Sequence, residues 1–405
     1  MKAFRSFMNF GKTVNARFQH NYKQSFSYQN HLKALGIGAL FGINKYYRDQ
    51  QNIQCTSQKQ ELDSLYKEAY LQNKIKDGDF SNVLLLGGNA NKELAQDIAD
   101  ILGLQLGDLK LNRFADGEVQ IQINESVRGK DVYVIQPTCS PVNENLMELL
   151  LLVSALRRSS AKRITVIVPY YGYARQDRKV APRVPISAAD VARLLETMGI
   201  DRMVSVDLHC GQIQGFFSPR IPVDNLESNK VALNYFVNIW RKNPDNDFVI
   251  VSPDAGGVAR AKKFQELFNH HTGQNYGLAM IIKQRDAPGQ IAQMNLVGNV
   301  EGKSAIIIDD MIDTAGTLCE AAKSLKEQGA KNVYAFATHG LFNGKAFKNI
   351  NESIMEQIIV TDTTPKKPGE QESDKILRLS VAPLLAEAIV RVQHKMSISK
   401  MFKVQ

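Results

Sequence analysis

From about residue 81 onward, short runs of apolar and β-branched residues alternate with longer segments whose apolar residues recur at helical spacing. This alternation is typical of stacked βα units that build a mostly parallel sheet. The pattern predicts strands at residues 82–86, 131–136, 163–169, 202–207, 247–252, 304–309, 332–338 and 356–361. The chain is therefore predicted to have an α/β fold.

Helical patterns lie between several of these strands. Residues 144–158 are apolar on most faces, which predicts a deeply buried helix, and Ser187 is placed to cap a helix over 188–198. A closed barrel of eight βα units is the alternative architecture. Two open sheets are favoured because residues 220–246 contain two prolines and are poorly patterned. The sequence thus predicts two tandem domains, over residues 81–225 and 226–375.

The net charge of +9 is concentrated in the first 48 residues, which contain eight Lys or Arg and no Asp or Glu. The body is therefore close to neutral, and the overall charge is not evidence of nucleic-acid binding. An acid-free segment rich in Arg, Lys, Ser and aromatic residues is typical of a transit peptide, so residues 1–50 are interpreted as a basic targeting or anchoring leader. Residues 51–80 are predicted to be a polar linker.

An apolar stretch inside the leader, residues 34–43, is too short for a membrane span, which needs about 20 residues. Gly38 and Gly42 form a Gly-x-x-x-Gly pair that would let a helix pack closely on a neighbour. A glycine-rich targeting segment is favoured, and residues 31–47 stay a candidate contact with a membrane or a protein complex. The four cysteines are too scattered for a disulfide framework or a zinc site.

Open parallel sheets bind ligands beyond the carboxyl ends of their strands, so the loop that follows residues 304–309 is the first candidate site. Its carboxylates can accept hydrogen bonds from vicinal sugar hydroxyls. The small residues after them open a helix, whose N-terminal N–H groups can bind a phosphate. The candidate sugar-phosphate residues are Asp309, Asp310, Asp313, Thr314, Ala315, Gly316 and Thr317.

This run resembles the ribose-5-phosphate loop of type I phosphoribosyltransferases and of phosphoribosyl diphosphate (PRPP) synthetases. Further segments resemble motifs of the synthetases alone: 114–118 (FADGE), 173–179 (YARQDRK), 207–217 (DLHCGQIQGFF) and 252–258 (SPDAGGV). The chain is accordingly similar to class I ribose-phosphate pyrophosphokinases, with an N-terminal extension of mitochondrial type. The resemblance implies two tandem type I phosphoribosyltransferase-like domains, each an open, mostly parallel sheet flanked by helices. It also implies that residues 376–405 complete the first domain.

The implied reaction transfers the β,γ-diphosphoryl group of ATP to the 1-hydroxyl of ribose 5-phosphate, which gives PRPP and AMP. Lys283 and Arg285 match the mobile catalytic loop of the family. The alternative is a catalytically silent family member that serves as a regulatory or structural subunit of a mitochondrial assembly. Activity is favoured because the charged residues of the implied phosphate site are all present.

The resemblance also assigns the remaining sites. It implies ATP-binding residues Phe114, Asp116, Gly117, Glu118, Arg175 and Gln176, and Mg²⁺-linked positions at His209 and Asp254. Ser126, Arg128, Arg183, Ser397, Ser399 and Phe402 match positions that bind a regulatory phosphate, so inorganic phosphate is a candidate activator. Residues 180–182 depart from the usual polar pattern, which puts allosteric control in doubt.

The expected partners are the small molecules ATP and ribose 5-phosphate, and no nucleic acid. In this family a neighbouring subunit completes the ATP site, so the resemblance implies a homo-oligomer, commonly a hexamer. The leader indicates a mitochondrial location, in the matrix or associated with the inner membrane, and the alternative is the cytoplasm.

Overall fold

The structure is a computed structural model that describes residues 80–284 and 293–402. The predicted leader and all but the last residue of the predicted linker lie outside these ranges, as does the apolar stretch at 34–43. In the described part of the chain, no helix is both long enough and apolar enough to cross a membrane.

The first half of the described chain forms a five-stranded parallel sheet. Its strands are β1 (Val83–Gly87), β4 (Asp131–Ile135), β5 (Arg163–Val168), β6 (Arg202–Val206) and β7 (Val223–Leu226), in the order β1-β4-β5-β6-β7. A separate antiparallel hairpin is formed by β2 (Leu109–Arg113) and β3 (Val119–Ile123). The helices of this half are α1 (Lys92–Leu102), α2 (Val142–Arg158) and α3 (Ser187–Met198).

Helices cover both faces of this sheet, which explains why its strands are continuous apolar runs. In β1, Leu84 and Leu86 belong to a core cluster with α2 and α3, whereas Leu85 points to the opposite face, where α1 packs. Alternate residues of one strand are thus buried in two different cores.

The second half of the described chain forms a seven-stranded sheet, whose strands stand in the order β10-β9-β8-β11-β12-β13-β14. Its strands are β8 (Phe248–Ser252), β9 (Gly277–Gln284), β10 (Gln293–Val297), β11 (Ser304–Ile312), β12 (Asn332–Gly340), β13 (Gln357–Thr361) and β14 (Ile376–Leu379). All neighbours pair in parallel except β9 and β10. Its helices are α4 (Asn229–Lys242), α5 (Val258–Thr272), α6 (Gly316–Glu327) and α7 (Ala346–Glu352).

The last helix, α8 (Ala382–Gln393), returns to the first half of the chain. Leu385 and Ile389 are buried in one core cluster together with α1 and with Leu85. The segment just before it behaves differently: β14 is the edge strand of the seven-stranded sheet. The prediction that residues 376–379 complete the first domain is therefore wrong, because those residues pair with β13.

The predicted α/β fold with two open, mostly parallel sheets flanked by helices is confirmed, and the described residues form no closed barrel. Six strands of the structure were not predicted: β2, β3, β7, β9, β10 and β14. Val119–Ile123 alternates apolar and polar residues and lacks the continuous apolar run of a doubly covered strand.

Two local predictions are also corrected. The strand predicted to end at Asp309 continues to Ile312, because its ladder with β12 extends to the Ile312–Gly340 pair. Ser187 does not cap the following helix: it is the first helical residue, and its hydroxyl donates to the side chain of Gln176.

Candidate functional site

The carboxyl ends of the two sheets meet at a buried ion-pair cluster centred on Asp310. Asp310 lies near the end of β11 and is 5% exposed. Its Oδ2 lies 2.7 Å from Nδ1 of His209, which follows β6 of the first sheet, and its Oδ1 lies 3.6 Å from Nη1 of Arg260 in α5. One carboxylate therefore connects residues from three separate elements, including both sheets.

The protonation of this cluster follows from its contacts. The hydrogen bond to Asp310 outweighs burial and raises the pKa of His209. Burial disfavours the charged form of Asp310, but His209 and Arg260 overcome it and hold the pKa of that carboxyl below its ordinary value. Burial and the neighbouring Asp310 charge raise the pKa of Asp309. The adjacent aspartates thus differ in protonation tendency: Asp310 favours the charge and Asp309 the proton.

A second contact between the two halves is made at Asp313. Its Oδ2 accepts a hydrogen bond of 2.6 Å from Nη1 of Arg175, and its Oδ1 accepts one of 2.7 Å from Nδ2 of Asn343. Burial opposes ionisation of Asp313, but these two donors outweigh it and lower the pKa of the carboxyl. Arg175, which sequence resemblance assigns to ATP, therefore lies directly beside the predicted sugar-phosphate loop.

The loop itself is shaped for an anion. Ala315 precedes α6 with a φ of +60°, a left-handed conformation that costs a non-glycine residue about 1 kcal/mol or more. Helix α6 begins at Gly316, and the residue before it, Ala315, has no side chain that could cap the first N–H groups. The carbonyl of Thr314 is fixed by Nδ2 of Asn349 at 2.9 Å. Uncapped N–H groups at a helix start are a suitable site for a phosphate.

Four of the predicted ATP-binding residues lie in the exposed turn of the β2–β3 hairpin, residues 114–118, which resembles the adenine-binding segment of the family and is called the adenine turn below. Phe114 is 49% exposed, and its carbonyl and N–H group bond to Gly117 and Glu118 across the turn. Asp116 Oδ1 accepts the N–H of Glu118, and Gly117 has a φ of +94° that suits glycine. Among the described residues, no hydrogen bond or ion pair joins this turn to Arg175 or Gln176.

The predicted metal-linked residues do not form a closed cage. Asp254 is exposed in the loop between β8 and α5, and its Oδ1 accepts a hydrogen bond of 2.9 Å from the N–H of Gly257. Nδ1 of His209 already bonds to Asp310. Within residues 80–284 and 293–402, no group of three or more His, Cys, Asp or Glu side chains is arranged to hold a metal ion. Asp254 follows β8, the strand beside β11, so its exposed carboxylate is at the same edge of the sheet as the predicted phosphate loop. Such a carboxylate fits Mg²⁺, which usually binds one or two carboxylates together with substrate phosphates.

The predicted catalytic pair is only partly within the described chain. The backbone of Lys283 belongs to β9 and pairs with Met294 of β10. Arg285 lies outside the described residues. The segment that matches the mobile loop of the family is thus extended backbone as far as Gln284, where β9 ends.

The predicted regulatory residues lie in three separate segments of the chain. Ser126 and Arg128 lie in the loop before β4, at the amino end of that strand, whereas Arg183 lies in the segment after β5. Ser397 and Ser399 contact each other near the C-terminus, with hydroxyl oxygens 2.9 Å apart, and Phe402 packs against the core that contains α8. Among the described residues, no hydrogen bond or ion pair connects these three groups.

The sequence prediction missed two site residues. Arg260 is the third residue of α5, six residues after Asp254, and its positive charge there was an available signal. Asn343 follows β12, the strand beside β11, at the same carboxyl edge of the sheet. A polar residue just beyond the neighbouring strand was the signal for Asn343.

Comparisons with known proteins agree with this geometry. A family model described as the N-terminal domain of ribose phosphate pyrophosphokinase matches residues 83–199, and one described as the phosphoribosyl synthetase-associated domain matches residues 249–403. The chain is 49% identical over 322 residues to the ribose-phosphate pyrophosphokinase of Shewanella oneidensis, which covers 79% of this chain and 99% of that protein. It is 50% identical over 321 residues to the Bacillus subtilis protein of the same name, which covers 79% and 97%.

The fold comparison gives the same answer. The crystal structure of phosphoribosylpyrophosphate synthetase from Mycobacterium smegmatis is similar to this structure with a TM-score of 0.71 and 42% sequence identity. That similarity covers 78% of this chain and 99% of the other.

Proposed function

This chain belongs to the ribose-phosphate pyrophosphokinase family, and on that premise we propose that it transfers the β,γ-diphosphoryl group of ATP to ribose 5-phosphate. In this reaction O1 of the sugar forms a bond to the β-phosphorus, the bond from that phosphorus to the bridging oxygen of the α-phosphate breaks, and AMP leaves. The observation that carries the proposal is the Arg175–Asp313 ion pair, which joins the ATP-assigned loop to the sugar-phosphate loop.

The ribose end of the site follows from residues of the second half. The two adjacent aspartates face the sugar hydroxyls in the proposal, with Asp310 as a charged acceptor and Asp309 as the carboxyl that more readily keeps a proton. The uncapped N–H groups at the start of α6 bind the 5-phosphate. The sugar is then held at both ends, which orients O1 for attack.

The diphosphoryl end is assigned to cationic side chains. Arg175 faces the ATP phosphates, and Lys283 and Arg285 stabilise the charge that develops on the transferring group. Mg²⁺, which Asp254 and the substrate phosphates would hold, supplies charge neutralisation when it is bound. Nothing in the comparisons favours the silent subunit, since relatives about 49% identical to this chain carry the enzyme's name.

The test is an assay of the purified full-length chain with ATP, Mg²⁺ and ribose 5-phosphate, with AMP and PRPP quantified separately. We expect equal amounts of both products. Lys283→Ala should lower kcat by about 10²–10³-fold while its melting temperature stays unchanged. Lys323→Ala, which removes an exposed cation of α6, is the matched control and should keep full activity. Absence of AMP from the unmutated protein at every phosphate concentration would contradict the proposal.

Assembly, regulation and location are further parts of this proposal. We infer a homo-oligomer, a hexamer by family resemblance, because the adenine turn is exposed and no hydrogen bond or ion pair of the described residues joins it to Arg175. Inorganic phosphate is the candidate activator. The proposed organisation is a leader (1–50), a linker (51–80) and two domains (81–225 and 226–375), the second extended by β14 and the first completed by α8 and the residues after it. Light scattering with and without phosphate tests the assembly.

The leader, whose first 48 residues contain no Asp or Glu, supports a location in the mitochondrial matrix or at the inner membrane, with residues 31–47 as the contact to a membrane or complex. Cell fractionation combined with N-terminal sequencing distinguishes the outcomes. A cleaved N-terminus in the matrix fraction indicates a transit peptide, a retained one in the membrane fraction indicates an anchor, and a purely cytoplasmic protein contradicts both.

A further inference from the structure

Asn343, which lies next to the sugar-phosphate loop, is held in place by hydrogen bonds of its backbone and of its side chain. Asn343 lies after β12 and bonds to Asp313 twice: its backbone N–H donates to the carbonyl at 3.0 Å, and its Nδ2 donates to Oδ1 at 2.7 Å. The preceding residues Leu341 and Phe342 both donate their N–H groups to the carbonyl of Ile312. The backbone therefore fixes Asn343 beside Asp313.

The orientation of the Asn343 amide is determined by its other neighbour. Nζ of Lys367 donates a hydrogen bond to Oδ1 of Asn343. An ammonium group can only donate and an ionised carboxylate can only accept, so an amide between Lys367 and Asp313 has one satisfied orientation. Its oxygen must face Lys367 and its nitrogen must face Asp313. Lys367 thus sets the direction of the hydrogen bond that Asp313 receives.

A buried ion pair holds the two loops that carry Asn343 and Lys367. Arg378 and Glu370 are 5% and 6% exposed and pair with each other through two hydrogen bonds. Glu370 Oε2 accepts the backbone N–H of Lys367 at 3.2 Å, and Arg378 donates to the carbonyl of Gly340 at 3.4 Å. Arg378 also donates to the carbonyls of Thr361 and Thr364 at 2.9 and 2.7 Å. The relative position of the two loops is therefore fixed below the surface.

We propose that Lys367 and Asn343 are positioning residues for the ribose-5-phosphate subsite, acting through Asp313. This inference rests on the proposed function, and it adds two residues that act on the sugar substrate alone. The two oxygens of Asp313 have different partners: Oδ2 bonds to Arg175 of the ATP-assigned loop and Oδ1 to Asn343. Loss of Lys367 frees the amide to rotate, so the carboxylate loses its fixed direction on the Oδ1 side only.

The test compares Lys367→Met with Lys366→Met, which removes the same charge from an exposed neighbour. In the full-length chain, Lys367→Met should raise KM for ribose 5-phosphate about five- to tenfold, as expected for loss of one charge-assisted hydrogen bond. KM for ATP and kcat should stay within about twofold, since the Arg175 side is untouched. Lys366→Met should leave all three parameters unchanged.

Two further variants separate positioning from structure. Lys367→Arg keeps a donor toward the amide oxygen and should recover most of the ribose 5-phosphate affinity. Lys367→Glu reverses the donor and acceptor order, turns the amide oxygen toward Asp313 and should raise KM further than Lys367→Met does. All variants should melt within about 2 °C of the unmutated protein, because Lys367 is half-buried and the Arg378–Glu370 pair remains.

The proposal is overturned if Lys367→Met and Lys366→Met have the same KM for ribose 5-phosphate, or if Lys367→Met raises KM for ATP equally. Calorimetric titration with ribose 5-phosphate alone supplies a second readout, in which Lys367→Met should weaken binding by the same factor. A protein that binds ribose 5-phosphate but forms no AMP contradicts the proposed function, and the binding titrations still decide whether Lys367 positions the subsite.

Discussion

The ribose end and the nucleotide end of the site are built in opposite ways. Asp310, at the ribose end, is 5% exposed and bonded to residues of both halves of the chain, whereas Phe114, at the nucleotide end, is 49% exposed on a hairpin turn. The proposed sugar subsite is therefore formed from residues of one chain. The proposed adenine subsite presents the Phe114 ring to solvent, and in the proposed homo-oligomer a neighbouring subunit supplies its second wall.

This difference has a physical cause. A sugar phosphate is small and strongly polar, so fixed carboxylates and N–H groups at strand ends can bind it with little reorganisation. An adenine base needs apolar contact on its faces, and a two-stranded hairpin offers only one side. The two ends should consequently respond differently to substitution, to protein concentration and to pH.

The largest effect is expected at the ribose end. Asp310→Asn removes the charge that holds His209 and Arg260 together, and leaves two cationic groups without their shared partner. We expect kcat/KM to fall by about 10²–10³-fold and the melting temperature to fall as well, because removing one member of a buried ion pair is strongly destabilising. Steady-state kinetics and thermal unfolding of the full-length chain measure both.

Glu320→Gln is the matched control for this change, since Glu320 is an exposed carboxylate on α6. It should leave kcat/KM and the melting temperature unchanged. If Asp310→Asn kept kcat/KM within about threefold of the unmutated value, the ribose end would not depend on the cluster, and the contrast between the two ends would fail.

A smaller effect is expected at the nucleotide end. Phe114→Ala should raise KM for ATP about tenfold through loss of aromatic contact with the base, and should not change the free energy of unfolding beyond about 0.5 kcal/mol.

If the adenine turn and Arg175 of one site come from different chains, mixed oligomers of Phe114→Ala and Arg175→Ala contain repaired sites. Random mixing in equal amounts gives about one quarter of sites with both residues intact.

Rapid assays at low ATP concentration measure this complementation after the two variants have exchanged subunits. Activity above the average of the separate variants supports a shared site. Mixed samples that merely average the two activities would place both residues in one chain, and both ends of the site would then be formed alike. Cross-mixing of each variant with Glu320→Gln controls for effects of the exchange procedure itself.

How far the sequence predicts this site depends on the range of each contact. The run from Asp309 to Thr317 is predictable, because a buried strand, its carboxylates and a helix start are consecutive in the chain. The His209–Asp310 pair joins residues about a hundred positions apart, and only the folded arrangement of two sheets brings them together. Asn343 was missed for a related reason: its role depends on the ladder between β11 and β12, which a local pattern does not reveal.

The smallest effect on activity is expected at the opposite edge of the first sheet. Asp131, the first residue of β4, is 5% exposed and receives two hydrogen bonds from Arg163, which lower the pKa of its carboxyl. A carboxyl with a lowered folded pKa stabilises the protein above its unfolded pKa of about 3.9, and this contribution is lost as the pH falls through the folded pKa. Asp131→Asn should therefore lower the free energy of unfolding by about 1 kcal/mol near neutral pH. The effect is modest because solvent surrounds Arg163.

Urea unfolding of Asp131→Asn and of the unmutated protein at several pH values should show this difference shrinking toward acid, while kcat and both KM values stay unchanged. A loss of activity in Asp131→Asn without loss of stability would mean that the amino edge of the first sheet takes part in catalysis.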